Sequence, residues 1–360
     1  MSHGSAPDDI VATHEAAAAN EREPLVVVEP LQAFLDEHGL GSGALAFEPI
    51  GEGHSNVTYR VTRADGTTLV LRRPPRGPLP PSAHDVLREA RLLRALAPTP
   101  ARVPAVLAVG DDPAVIGAPF YVMEEVQGHV VTDALPPALD DPAARAAIAD
   151  ELIDALVEVH AVDWSAAGLD GFGKPTGYLE RQLRRFGGLW EHNRTRDLPQ
   201  VERVGRWLAD HLPPSPPATI VHGDYRLGNV MLAPQAPPRL VAIFDWEMAT
   251  IGDPLADLGY LTTMWIEPDD PPTSFELSGV TRLPGFPTRD EMIARYEERS
   301  GRAMTDIRWY QTLAVWKAVV FMEGNYKRAV SGASDDPYLK AFGDGVAELA
   351  DRAEAITRGA

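Results

Sequence analysis

The sequence predicts an α+β protein: a small antiparallel sheet region followed by a larger, mainly helical one. Three observations carry this. Residues 44–126 hold short β-rich runs separated by turn signals. From Gly128 onward the pattern changes to long segments with apolar residues at helical spacing. The 360 residues, 44% apolar and 24% charged, suit a globular chain of about two domains.

In order, residues 1–24 are rich in Ala, Asp, Glu and Ser without periodicity and read as a disordered tail. Pro30 to His38 reads as a short helix stopped by Gly39. Ala44 to Ile50 is a strand that runs into the Gly51–Gly53 loop, and Val57 to Thr62 is the next. Asp65-Gly66 is a strong hairpin signal and Thr67 to Leu71 the return strand. A proline-rich loop precedes an amphipathic helix over 83–97, where Leu87, Ala90, Leu93 and Leu96 recur. Val106 to Val109 and Phe120 to Val126 complete a sheet of five strands. The helical region reads as helices over 143–162, 178–192, 201–212, 255–265, 288–300, 305–329 and 338–358. Short β-rich runs at 219–221, 229–232 and 241–244 interrupt it. The expected division is a tail at 1–24, a sheet lobe at 25–127 and a helical lobe at 128–360.

Composition excludes several functions. The 52 acids against 33 Lys and Arg leave a formal charge of −19, a field that opposes nucleic acid and anionic membrane. There is no cysteine, hence no disulfide framework, thiolate zinc site or cysteine nucleophile. The first twenty residues lack a basic flank followed by an apolar run. The apolar stretch Leu313 to Met322, interrupted by Lys317, is too short to span a membrane. These features fit a cytoplasmic protein with no nucleic-acid or membrane partner, and nothing in them specifies an oligomeric state.

The informative segment is Val221-His222-Gly223-Asp224-Tyr225-Arg226-Leu227-Gly228-Asn229-Val230, followed by Ile243-Phe244-Asp245-Trp246-Glu247. From Asp224 to Asp270 there are eight acids and two arginines, a density that calls for a cation or water. Asp224, Asn229 and Asp245 each adjoin apolar strand residues, which points them into one cleft. Oxygen ligands of this kind suit magnesium, which keeps waters and takes phosphate oxygens from a substrate. A carboxylate off the metal can receive a hydroxyl proton. The competing reading of Asp-x4-Asn is turn chemistry, since both residue types satisfy loop backbones.

The two motifs together resemble the aminoglycoside phosphotransferase and choline kinase family, a branch of the protein-kinase-like two-lobe fold. The resemblance extends over nearly the whole chain after residue 44, in particular to the subgroup whose relatives are fused to acyl-CoA dehydrogenases. It implies that Asp224 is the catalytic base and that Asn229 and Asp245 bind Mg²⁺ on the phosphates of ATP. It also implies a structural role for His222 and loop-bracing roles for Asp253 and Asp257, with helix capping as the competing reading for Asp253.

The same resemblance places the nucleotide in the sheet lobe. Gly51, Gly53 and Ser55, in Gly51-Glu52-Gly53-His54-Ser55-Asn56, lie between two strands where backbone N–H groups can approach phosphate. A plain hairpin loop is the alternative. Gly41-x-Gly43-x-x-Ala46 follows a helix rather than a strand and is not a dinucleotide fingerprint. The family's strand lysine is replaced here by Arg72, with Glu89 as its implied partner; Arg and Lys both hold phosphate but with different geometry. Arg73 reads as a solvated charge. Tyr121 to Gly128 matches the family's hinge, where the C=O of Glu124 and the N–H of Val126 would pair with adenine.

Two classes of function follow. One is an enzyme, an ATP- and Mg-dependent phosphotransferase acting on a small-molecule hydroxyl. The other is a catalytically weak nucleotide-binding scaffold on the same fold, which only Arg72 favours. Transfer to a protein side chain is a third, with no activation segment between Asp245 and the Gly-Asp-Pro turn to support it. For the acceptor, Arg181, Arg184 and Arg185 share a helix face, which suits an anionic substrate such as a hydroxyacyl-CoA or is simply solvated. Glu267-Pro268-Asp269-Asp270 instead suits a cationic, aminoglycoside-like one.

Overall fold

The computed structural model describes residues 9–51, 56–77, 84–273, 276–332 and 337–359. The chain divides into two compact units: Met1–Thr99 with Val103–Gln127, and Pro100–Arg102 with Gly128–Ala360.

The first unit contains β1 (Ile10–Val11), α1 (His14–Ala19), β2 (Val26–Val27), α2 (Val28–Glu37), β3 (Leu45–Pro49), β4 (Val57–Arg63), β5 (Thr68–Arg73), α3 (Val86–Leu96), β6 (Val106–Gly110) and β7 (Phe120–Glu124). Its five-stranded sheet has the order β3-β4-β5-β7-β6, antiparallel at every step. The β4–β5 turn forms as its residues dictate: Asp65 Oδ1 accepts the Thr67 N–H at 2.9 Å and Gly66 takes φ 90°. Alternation along the strands puts Tyr59, Val61, Leu69, Leu71, Phe120 and Val122 into one cluster with Leu31 and Leu35 of α2.

Two readings of this unit are corrected. Residues 9–24 are not a featureless tail: β1 pairs parallel with β2, Asp9 C=O accepts the Leu25 N–H at 2.7 Å, and Thr13 caps α1. These ties reach across the sequence, as far as the Arg76–Asp9 ion pair, so no local periodicity announces them. Nor is Arg73 solvated. It is 2% exposed and donates to the carbonyls of Pro74 (2.9 Å), Ile116 (3.3 Å) and Leu25. Burial pushes its pKa down to about 10, still protonated at neutral pH.

The second unit contains β8 (His129–Val130), α4 (Pro142–His160), α5 (Tyr178–Asn193), α6 (Pro199–Asp210), β9 (Thr219–Val221), β10 (Val230–Leu232), β11 (Leu240–Ile243), β12 (Thr250–Gly252), α7 (Leu255–Met264), α8 (Arg289–Ser300), α9 (Ile307–Val330) and α10 (Pro337–Arg358). Helix starts follow their caps. Asp141 accepts from Ala143 and Ala144 N–H ahead of α4, and Thr288 with Glu291 forms a capping box on α8. Helix α9 buries residues on several sides because α10, α7, α5 and α6 all pack on it. No helix among the described residues is long and apolar enough to cross a membrane. Pro100–Arg102 belongs to this unit because Arg102 pairs with Glu158 at 2.8 Å and with Glu151, while its C=O accepts the Ile243 N–H at 2.7 Å.

Candidate active site

Two small sheets set the functional loop of the second unit. β9 pairs with β12, and β10 pairs with β11 in a register that puts Val230 opposite Ile243. One further bond, Phe244 N–H to Asn229 C=O at 2.9 Å, carries that register past the strand ends. Asn229 and the residue before Asp245 are therefore backbone neighbours although 15 positions apart. The turn at Gly223 (φ 89°) needs glycine, since a Cβ there would meet the Met248 carbonyl oxygen at 2.9 Å. Asp245 itself is left-handed, φ 63° and ψ 57°, a strained conformation for a side chain other than glycine.

Asp224 is part-exposed, and its Oδ2 accepts from Asn229 Nδ2 at 2.8 Å. The same amide donates to the Asp224 carbonyl, also at 2.8 Å. With both amide hydrogens used, the Asn229 side-chain oxygen is the end left for a cation. Arg226 Nε stands 3.7 Å from Asp224 Oδ1. No three His, Cys, Asp or Glu gather into a metal-holding group among the described residues. A magnesium ion would take a carboxylate oxygen from Asp245 and an amide oxygen from Asn229, with phosphate and water completing its shell, as its chemistry prefers.

The loop is braced from behind. His222 is fully buried; its Nε2 donates to the Phe244 carbonyl at 2.8 Å and its Nδ1 accepts the Asp224 N–H at 3.2 Å. Asp257, on α7, accepts the N–H groups of His222 (2.7 Å) and Gly223 (2.8 Å) and the Nε2–H of His160 (3.2 Å). Burial opposes the Asp257 charge, yet these donors hold its pKa below the usual carboxylate value. Burial pushes His160 down, against the raising influence of Asp257, so the pair is a carboxylate and a neutral imidazole. Asp253 accepts from Leu255 N–H (3.0 Å) and Tyr310 O–H (2.9 Å). It therefore serves the helix start and the brace together, while burial raises its pKa.

Sequence reasoning missed three groups here. His160 reaches Asp257 from α4 and is oriented by Tyr296 O–H at 2.7 Å. Tyr260 has a hydroxyl that burial, the Asp224 charge and a hydrogen bond to Asp224 drive well above its ordinary pKa, with Asp245 adding to the effect. Its signal was available, because Tyr260 follows Asp257 by three positions on one helix face. Lys317 is the third.

In the first unit, Arg72 and Glu89 form a direct ion pair, Nε to Oε2 2.9 Å, with Glu89 2% exposed. Arg72 also donates to Thr58 Oγ1 at 3.3 Å. The first lysine in the chain is Lys174, so among the unit's own cations only arginine can play the family lysine's part. Gly51 takes φ 85°; Gly53 and Ser55 lie outside the described residues. Glu124 ends β7, its Oε1 accepting the Ala105 N–H at 2.8 Å. Val126 N–H has no hydrogen-bond partner among the described residues.

The two acceptor candidates fare differently. Glu267 and Asp270 are already engaged: Arg289 pairs with Glu267 at 3.2 Å and with Asp270, and Arg282 donates to the Asp270 carbonyl at 2.8 Å. Arg181 is spent on the carbonyls of Lys174 (2.6 Å) and Thr176. Arg184 and Arg185 are exposed and carry no ion pair to a described residue.

This geometry has counterparts. The model of the phosphotransferase enzyme family matches residues 46–310. Acyl-CoA dehydrogenase family member 10 of Mus musculus is 35% identical over 327 residues, covering 89% of this chain, and the chain spans 30% of that relative's length. A Ralstonia eutropha structure, whose own assignment as an aminoglycoside phosphotransferase is provisional, superposes with a TM-score of 0.80 at 32% identity, covering 92% of this chain and 98% of its own. An APH(2″) structure solved with GDP and kanamycin shares the fold at 17% identity, with a TM-score of 0.61 and 90% and 98% coverage. A match of that extent over both units makes the chain a member of the phosphotransferase enzyme family, with the protein-kinase-like fold.

Proposed function

We propose that this chain transfers the γ-phosphoryl group of ATP, with Mg²⁺, to a hydroxyl of a small molecule. The observation that carries the reading is the junction of Asp224, Asn229 and Asp245, joined by the Asn229–Asp224 bond and the Phe244–Asn229 backbone contact. Asp224 takes the acceptor proton while the acceptor oxygen bonds to phosphorus and the bond to the departing diphosphate oxygen breaks. Such transfer runs through a loose transition state, so positioning and charge neutralisation supply most of the acceleration. Magnesium held by Asn229 and Asp245 would offset phosphate charge. Arg72, oriented by Glu89, would hold the α- and β-phosphates. Gly51, Gly53 and Ser55 would line the phosphate loop, and the Glu124 C=O and Val126 N–H would meet the adenine edge. A cytoplasmic setting, where ATP is at hand, goes with this reading.

The acceptor is anionic in this proposal, a hydroxyacyl-CoA-like molecule rather than an aminoglycoside-like cation. Supporting it, Glu267 and Asp270 are paired with Arg289, while Arg184 and Arg185 have no ion pair among the described residues. The presence of arginine at position 72 favours the rival reading, a nucleotide-binding scaffold of low activity. An ATP-consumption screen across aminoglycosides, choline-like alcohols and hydroxyacyl-CoAs separates them. Turnover that needs Mg²⁺ and one acceptor class establishes the enzyme; nucleotide binding without turnover on any of them establishes the scaffold.

A further inference from the structure

Of the 33 Lys and Arg in the chain, only four are lysines. One of them, Lys317, sits midway along α9 in surroundings unlike those of a surface lysine. It is part-buried and lines a pocket with Gly223, Asp257, Tyr260, Tyr178 and Tyr310. Its free interior amounts to about 10 Å³, room for one water-sized group such as a single ligand oxygen. Gly223 on its wall is the residue immediately before Asp224, so whatever enters lies beside the catalytic loop.

Lys317 makes no hydrogen bond and no ion pair to a described residue. Its ammonium lies against the Phe186 ring, with Nζ 5.0 Å from the centroid. Arg185 lies over the same ring, its guanidinium carbon 5.8 Å from the centroid. Two cations thus share one buried aromatic, and among the described residues no carboxylate is bonded to either. Like charges so placed repel, and a desolvated ammonium without an acceptor costs free energy. Burial and Arg185 press the Lys317 pKa down, to about 8, against the opposing charges of Asp257 and Asp224. An anion placed between the two cations relieves both terms.

We propose that Lys317 is an acceptor-binding residue, whose ammonium takes an anionic oxygen of the acceptor, carboxylate or phosphate, within this pocket. The proposal rests on the phosphotransfer reading for the acceptor's identity, but the lysine's role has its own readout. The groups facing Lys317 are Asp257 and Tyr260 from α7, Asp224 from the loop, Arg185 and Tyr178 from α5, and Tyr310 from its own helix. Asp257 is consumed by three donors, which leaves Lys317 available to a ligand.

The test uses three probes that share a hydroxyl: 3-hydroxybutyryl-CoA, free 3-hydroxybutyrate and its methyl ester, carrying phosphates, a carboxylate and no charge. Binding to the 360-residue chain with ADP present is measured by calorimetry, and KM with Mg-ATP wherever turnover occurs. Lys317→Met keeps an apolar stem of similar length; Lys317→Arg keeps the charge. The expected result is at least a tenfold weaker affinity of Lys317→Met for an anionic probe, in line with loss of a charge-assisted hydrogen bond. The methyl ester and ATP should be unaffected, and Lys317→Arg should recover part of the loss. The anionic probe that responds names the group, phosphate or carboxylate. Wild-type affinity for it should fall as pH rises through about 8, as the ammonium deprotonates, and be flat in Lys317→Met. Equal affinity of wild type and Lys317→Met, an equal loss for the ester, or no binding of either anionic probe to wild type overturns the proposal. Binding without transfer defeats the phosphotransfer reading and leaves the Lys317 role standing; transfer with unchanged KM in Lys317→Met does the reverse.

Discussion

Replacing Asp257 by asparagine tests whether the loop that carries Asp224 is held from behind by a single carboxylate. Its two oxygens accept from three donors, His222 N–H, Gly223 N–H and His160 Nε2–H, and the residue is 1% exposed. Asparagine has the same shape but one accepting oxygen. In its better orientation that oxygen keeps His222 and His160, and its NH₂ faces the Gly223 N–H. The lost charge-assisted bond is worth about 1.5–3 kcal/mol, and the two survivors weaken by roughly half when the acceptor becomes neutral. A total of about 3–6 kcal/mol follows, or a Tm drop of about 10–15 °C for a unit of this size. Thermal unfolding of both proteins from pH 8 down to about 2.5, below the unfolded carboxylate value, measures it, and the transfer rate at neutral pH should fall with it because Gly223 adjoins Asp224. The sign with pH is fixed by the depressed pKa of Asp257. Its contribution is full above the unfolded value near 4 and is lost as pH falls through the lower folded value. The gap between the proteins should therefore be constant at neutral pH and close in acid. A Tm difference under about 2 °C at pH 7, or a gap that widens on acidification, refutes the reasoning.

Three further outcomes are expected. Asp224→Asn should leave ATP affinity within about twofold and cut turnover by about a hundredfold or more, the range for a general base; near-wild-type turnover removes Asp224 from that role. Asp245→Ala should abolish the metal dependence of nucleotide binding in calorimetry with Mg-ATP, because water cannot replace the carboxylate charge; unchanged metal dependence points to other ligands. Arg72→Ala should weaken ATP far more than adenosine, whereas equal losses assign Arg72 to the fold through its Glu89 pair.

The sequence alone determined what depends on near neighbours. The periodicities of α4, α5, α8 and α9 place those helices, and alternation with the Asp65-Gly66 turn places β4 and β5, because side-chain direction repeats every 3.6 or every two residues. The residues of the Asp224–Asn229 and Asp245 motifs were legible for the same reason, being short strings with fixed spacing. Tertiary structure decided what each charge is free to do. Arg73, which reads as solvated, is bound by carbonyls up to 48 positions away. Glu267 and Asp270, which read as a cation site, are occupied by Arg289, 22 and 19 positions on. Strands of two or three residues such as β8 and β12 exist only through partners elsewhere in the chain, and β1 orders only against β2. Lys317 interrupts an apolar run in the sequence; folding sets it on Phe186, beside the loop that carries Asp224. Whether a charge is spent or available depends on burial and on partners that the chain brings from a distance, and neither is written in its local pattern.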